Sequence, residues 1–166
     1  MKKSIKYTLL LLATAPLLFA GCESLFNKGD VEKVYTGPDL VEFKPLTTEM
    51  QIVVDSLGNH SGGVAELKVQ LISAEGLAES DVAVSFSVDG SSTATDGHYN
   101  LSATSVTIPS GSATTSFTIT VPSDANIAVG DEFTVILNMG EVSGAVAAEN
   151  LDQAIVYIQG VEPEEE

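Results

Sequence analysis

Along much of the chain, apolar and polar positions alternate one for one. Between residues 65 and 73, Leu67, Val69 and Leu71 fall on one side of an extended backbone, and Lys68 and Gln70 on the other. The pattern recurs at 81–88, where Val82, Val84, Phe86 and Val88 oppose Ala83, Ser85 and Ser87. It recurs again at 114–121, with Phe117, Ile119 and Val121 against Ser116, Thr118 and Thr120. Side chains along a strand point to opposite faces in turn, so this period predicts strands with one buried face. Shorter runs at 40–43, 50–54, 104–108 and 133–137 predict four more. An eighth run, 153–158, is apolar in both registers: either Ile155 and Tyr157 or Val156 and Ile158 face inward.

Turn chemistry separates these runs. Asp55-Ser56-Leu57-Gly58-Asn59-His60-Ser61-Gly62-Gly63, Asp89-Gly90, Pro109-Ser110-Gly111 and Gly130-Asp131 all carry residues that favour tight reversals. Residues 138–152 are small and polar and read as a long hairpin connection. Seven or eight short strands with one polar face predict an all-β antiparallel sandwich over residues 39–160. A domain of that size buries roughly two thirds of its unfolded surface, enough for a core without disulfides. No amphipathic helix is evident beyond the first 22 residues.

Those first residues have another pattern. Lys2, Lys3 and Lys6 precede a stretch without charge that holds Leu9 to Leu12, Leu17, Leu18 and Phe19. This is the layout of a secretory signal peptide, shorter than the roughly 20 apolar residues of a membrane span. Phe19-Ala20-Gly21-Cys22 resembles the lipobox of bacterial lipoproteins, with Phe19 in place of the usual leucine. The resemblance implies a signal peptide over 1–21 and lipidation of Cys22, the chain's single cysteine. The implied address is a bacterial envelope, at the outer membrane, with the membrane itself as a partner through the lipid. Acyl chains contribute about 0.8 kcal/mol per buried methylene, so multiple acylation anchors firmly. Residues 22–38 then read as the lipidated cysteine and a tether, about 20 Å in root-mean-square span if flexible. Residues 161–166 read as a disordered acidic tail.

The formal net charge is −16, and loss of the three leader lysines makes it three units more negative. No arginine is present. Such a chain has no electrostatic footprint for nucleic acid, and none is expected as a partner.

The central motifs carry a family resemblance. Thr93-Ala94-Thr95-Asp96-Gly97-His98-Tyr99 is similar to the Thr-Ala-Thr-x-Gly-x-Asp-Tyr signature of Calx-beta domains. Ile108-Pro109-Ser110-Gly111-Ser112 resembles their Pro-Gly-Glu turn, and Gly130-Asp131-Glu132-Phe133-Thr134-Val135-Ile136-Leu137 their Glu-Gly-Asp-Glu-x-Phe-x-Val-x-Leu strand. The resemblance covers about residues 50–160 and implies an immunoglobulin-like sandwich. A short lipoprotein with one such domain also resembles envelope lipoproteins of Bacteroidetes.

Calcium-binding members of the family hold the ion at one end of the sandwich with carboxylates from several loops. Here the resemblance leaves Asp96, Asp124, Asp131 and Glu132 as candidate ligands. His98, Ala125, Val129 and Gln159-Gly160 stand where the pattern has acidic residues or an acidic approach. Calcium takes six to eight oxygens, so this depleted set favours a metal-free sandwich, with calcium as the alternative.

Other chemistry is thin. His60 and His98 lack zinc-type spacing and read as exposed turn residues. No nucleophile elbow or phosphate-cradling glycine loop is present, so no enzyme is expected. Asp55-Ser56-Leu57 resembles the Asp-Ser/Thr-apolar pattern O-glycosylated in Bacteroidetes, which makes Ser56 a candidate glycosylation site. With no Trp, and with Tyr99 and Tyr157 read as strand-end or core residues, stacking groups for sugars are few, and an exposed Phe43 or Tyr35 is what remains to contribute. The expected function is a lipid-anchored, non-catalytic binding or adhesion-type module with an unidentified protein or glycan partner. The alternatives are a glycan-capturing lipoprotein that serves an outer-membrane importer, and a calcium-binding Calx-beta domain.

Overall fold

The computed structural model describes residues 37–164. The leader, Cys22 and nearly all of the tether lie outside the described residues, as do the last two residues of the tail. Ten strands follow in order: β1 (Leu40–Lys44), β2 (Thr47–Val53), β3 (Gly63–Ile72), β4 (Val82–Val88), β5 (Asn100–Leu101), β6 (Ser105–Ile108), β7 (Thr114–Val121), β8 (Glu132–Val142), β9 (Val146–Ala147) and β10 (Gln153–Val161). No helix occurs among the described residues, so none is long and apolar enough to cross a membrane. The strands form two five-stranded sheets, ordered β5-β7-β3-β1-β9 and β2-β10-β8-β4-β6. The predicted all-β sandwich is therefore present.

The alternation places the core. Val41, Phe43, Leu67, Val69, Phe117 and Ile119 point inward from the first sheet, and Ile52, Val84, Phe86, Val135 and Leu137 from the second. Each large side chain so buried contributes about 1.5–3 kcal/mol relative to exposure. β10 resolves its two registers in favour of Val156 and Ile158, both fully buried. Tyr157 therefore faces outward and is 37% exposed, which corrects its reading as a core or strand-end residue.

Two pairings are parallel: β1 with β9, and β2 with β10. They arise because the first extended segment changes sheets. β1 pairs with β3, then Pro45, which has no N–H to continue that ladder, precedes the move to β10 as β2. A second departure lies at 138–152, predicted as a connection. β8 runs on to Val142, and β9 follows.

A register shift explains why that extension escapes the two-residue pattern. Val84 pairs with Val142 but Phe86 pairs with Met139, so β8 carries one extra residue there. The Ser85 hydroxyl spans the bulge: it accepts from the Glu141 N–H at 2.8 Å and donates to the Glu141 carbonyl at 3.1 Å. A Cβ on Gly140 would come 2.9 Å from that same hydroxyl oxygen, so the bulge is built around a glycine.

The register fixes a polarity. Leu40 opens β1 opposite Ile72, the last residue of β3, while Val53 ends β2 beside Val161, the last of β10. The described chain thus enters at one pole and leaves at the other. The loops 54–62, 89–99 and 122–131 share the exit pole with Val161.

Candidate functional site

The exit pole holds every residue that the sequence marked as a candidate ligand, and the hydrogen bonds show what each does. Asp131 and Glu132 sit where the 122–131 loop enters β8. The Asp131 carboxylate accepts from the Ala128 N–H at 2.8 Å. Glu132 lies opposite Gln159 in the ladder and accepts from its amide at 3.4 Å. Asp96 is exposed in the loop that leads to β5, and Asp124 is exposed in the loop after β7. Asp96 acts on Tyr99: burial first, and then that carboxylate's charge, push the Tyr99 hydroxyl above its ordinary range. The four acids share a pole but not a centre. Among the described residues, no group of three or more His, Cys, Asp or Glu stands together as a metal site.

The positions that depart from the family pattern have structural work. Ala125 is buried in the core cluster, and its carbonyl takes a hydrogen bond from His60 Nε2 at 2.9 Å. A carboxylate there would be buried beside that carbonyl, which is unfavourable. Gly160 lies against the same loop. Its N–H donates to the Asp131 carbonyl at 3.0 Å, and its carbonyl accepts from the Gly130 N–H at 2.9 Å. A Cβ on Gly160 would stand 2.0 Å from the Ala128 carbonyl oxygen, so no side chain fits there.

Both histidines are braces, which corrects their reading as exposed turn residues. His60 Nδ1 accepts from the Gly62 N–H at 3.1 Å, so Nε2 carries the proton donated to Ala125. This ties the 54–62 loop to the 122–131 loop. His98 Nδ1 accepts from the Thr95 N–H at 3.0 Å. Its ring stacks on Phe133 with centroids 4.1 Å apart and planes at 26°. The signal that could have found this contact is the aromatic at the start of β8, half-buried at the pole rather than deep in the core.

What remains free at this pole is apolar and acidic. Asp55 closes a tight turn: its carboxylate accepts from the N–H groups of Leu57 and Asn59, each at 2.8 Å. Those bonds, led by the Asn59 N–H, hold the Asp55 carboxyl below its ordinary value. The turn lifts Leu57 to 84% exposure with the candidate Ser56 beside it in solvent. Val129 is 45% exposed across a shallow cleft that Asp55, Glu162, Pro163 and Glu164 also line. The pole presents a small apolar rim in an acidic field.

No family model and no curated protein matches the sequence. Solved structures do match in fold. An apo Calx CBD1 domain aligns over 76% of this chain and all of its own length, with a TM-score of 0.55 and 15% identity. The calcium binding domain CBD12 of CALX1.1 aligns over 72% of this chain, with a TM-score of 0.52 and 17% identity. A candidate carbohydrate-binding protein from Bacteroides ovatus aligns over 76% of this chain, with a TM-score of 0.57 and 17% identity. The chain spans 44% of the CBD12 structure and 38% of the Bacteroides ovatus protein. At such identities the shared property is the architecture: the domain has a Calx-beta-like sandwich fold.

Proposed function

We propose that this protein is a non-catalytic binding module, held to a bacterial outer membrane by lipid on Cys22, with its loop pole free to meet a partner. The observation that carries the reading is the polarity of the fold. The described chain enters at Leu40 on one pole, and the rigid loops with Leu57 and Val129 stand at the other. The described chain begins at the entry pole, so the loop pole is the end of the domain opposite that start. The anchor is supported by the charged start, the apolar run and Cys22 in the sequence. Fold neighbours of binding type are compatible with a non-enzymatic role.

Two measurements in cells test this. Cys22→Ser should move the protein out of the membrane fraction; retention there would overturn the anchor. With Leu57→Cys, a maleimide should label the loop pole in membranes of gently lysed cells as fully as after detergent extraction. Protection that only detergent relieves would overturn a free loop pole.

A further inference from the structure

The outward turn of Tyr157 creates a surface that the loop pole does not include. Tyr157 lies on β10, which has β2 on one side and β8 on the other. Its partners in register are Glu49 and Thr134, so the ring stands in the middle of an open sheet face. On one side along the strand, Gln159 lies between Gln51 and Glu132. On the other, Ile155 lies beside half-buried Ile136, an apolar strip next to the ring.

The polar groups on this face are held in place. The Gln159 amide donates to Glu132 at 3.4 Å. Gln153 Nε2 donates to Asn138 Oδ1 at 2.9 Å, and Asn138 Nδ2 donates to Asp89 Oδ2 at 2.6 Å. Each amide so fixed keeps a further donor or acceptor for a ligand. The described lysines, Lys44 and Lys68, lie opposite each other in the other sheet. The chain has no arginine, so among the described residues this sheet carries carboxylates and amides without a cation.

We propose that the outer face of the β2-β10-β8 strands is a binding platform for a neutral glycan, with Tyr157 as its stacking group. A sugar ring offers a C–H face to an aromatic ring and hydroxyls that both donate and accept. Tyr157 with Ile155 suits the first, and the amide–carboxylate pairs suit the second. Anionic ligands are disfavoured because the face offers no positive charge and several carboxylates. A sheet face is broad and open, which suits an extended polysaccharide rather than a small enclosed molecule. The proposal rests on the binding-module reading and names its ligand class.

The test applies full-length protein to an array of neutral, uronate-bearing and sulfated polysaccharides, with Tyr157→Ala, Tyr157→Phe and Gln159→Ala beside wild type. Melting curves check that each variant is folded. Wild type should bind neutral polymers selectively. Tyr157→Ala should lose roughly tenfold or more in affinity, Tyr157→Phe should keep most of it, and Gln159→Ala should weaken it. Absence of neutral-glycan binding, preference for charged polymers, or undiminished binding by folded Tyr157→Ala would each overturn the proposal. None of those outcomes alters the Cys22 fractionation or the Leu57→Cys labelling, so the two readings fail separately.

Discussion

Phe86 on β4 stacks on Phe117 of β7 across the two sheets, with ring centroids 4.4 Å apart and planes at 28°. Phe43 meets both rings edge-on, at 5.9 and 6.2 Å. Three strands from two sheets are joined at this cluster, and offset or edge contacts add to the area each ring buries. Phe117→Ala should therefore destabilise the domain by about 3–5 kcal/mol. Urea denaturation of the variant checks it. A loss under about 1 kcal/mol would mean that the cluster repacks freely.

Thr48 on β2 turns its hydroxyl into the structure, where Oγ1 is buried without a hydrogen-bond partner among the described residues. A buried polar atom left in that state costs about 1–3 kcal/mol. Valine has the same branched shape and lacks the hydroxyl. Thr48→Val should raise stability by roughly 1 kcal/mol, seen as a higher denaturation midpoint at unchanged slope. A lower midpoint would show that the hydroxyl has a partner in solution.

Gly160 touches the 122–131 loop through its backbone, so any side chain there must displace the Ala128 carbonyl. Gly160→Ala should destabilise by about 2 kcal/mol or more and speed proteolysis within the loop. Gly160→Asp should do the same without gaining a calcium response.

Calcium itself should leave the melting temperature of the wild-type protein unchanged, because the four candidate acids occupy separate positions. An ion bound at a hundredfold excess over its dissociation constant would add about 2.7 kcal/mol. A clear upward shift in a calcium titration would contradict this expectation.

Asp89 sets an acid limit. Its carboxylate accepts from the Ser91 hydroxyl at 2.5 Å and the Ser91 N–H at 2.8 Å, and from Asn138 at 2.6 Å. These bonds, led by the Ser91 hydroxyl, hold its pKa below the ordinary 3.8. A lowered folded pKa stabilises above the unfolded value, and that contribution is lost as pH falls through the folded one. Melting curves taken between about pH 2 and pH 6 should show Asp89→Ala below wild type at the upper end, the two converging in acid. Parallel curves would remove the carboxylate from the explanation.

Strands with one polar face were legible because only one register buries them. Leu67, Val69 and Leu71 point inward as the alternation requires. β10 was ambiguous because it is central and apolar on both faces, and that ambiguity hid Tyr157. β8 looked shorter than it is because the bulge at Gly140 breaks the period with residues typical of turns. The move of the first segment between sheets left no mark in periodicity, since both halves alternate normally. At the loop pole, the acids could be listed from the sequence, but their separation could not. It depends on Ala125 being core with its carbonyl bonded to His60, and on Gly160 meeting the Ala128 carbonyl, contacts between residues far apart along the chain.

The entry and exit at opposite poles have a mechanical consequence. Tension between the two ends runs along the strands. β2 and β10 are parallel neighbours paired from Thr47↔Ile155 to Val53↔Val161, and β10 carries the exit. Pulling on that exit against the entry slides β10 past β2, so their bonds share the load and yield together. A hairpin pulled from its own two ends opens one bond at a time instead. A domain wired this way resists being drawn out by tension between its two ends.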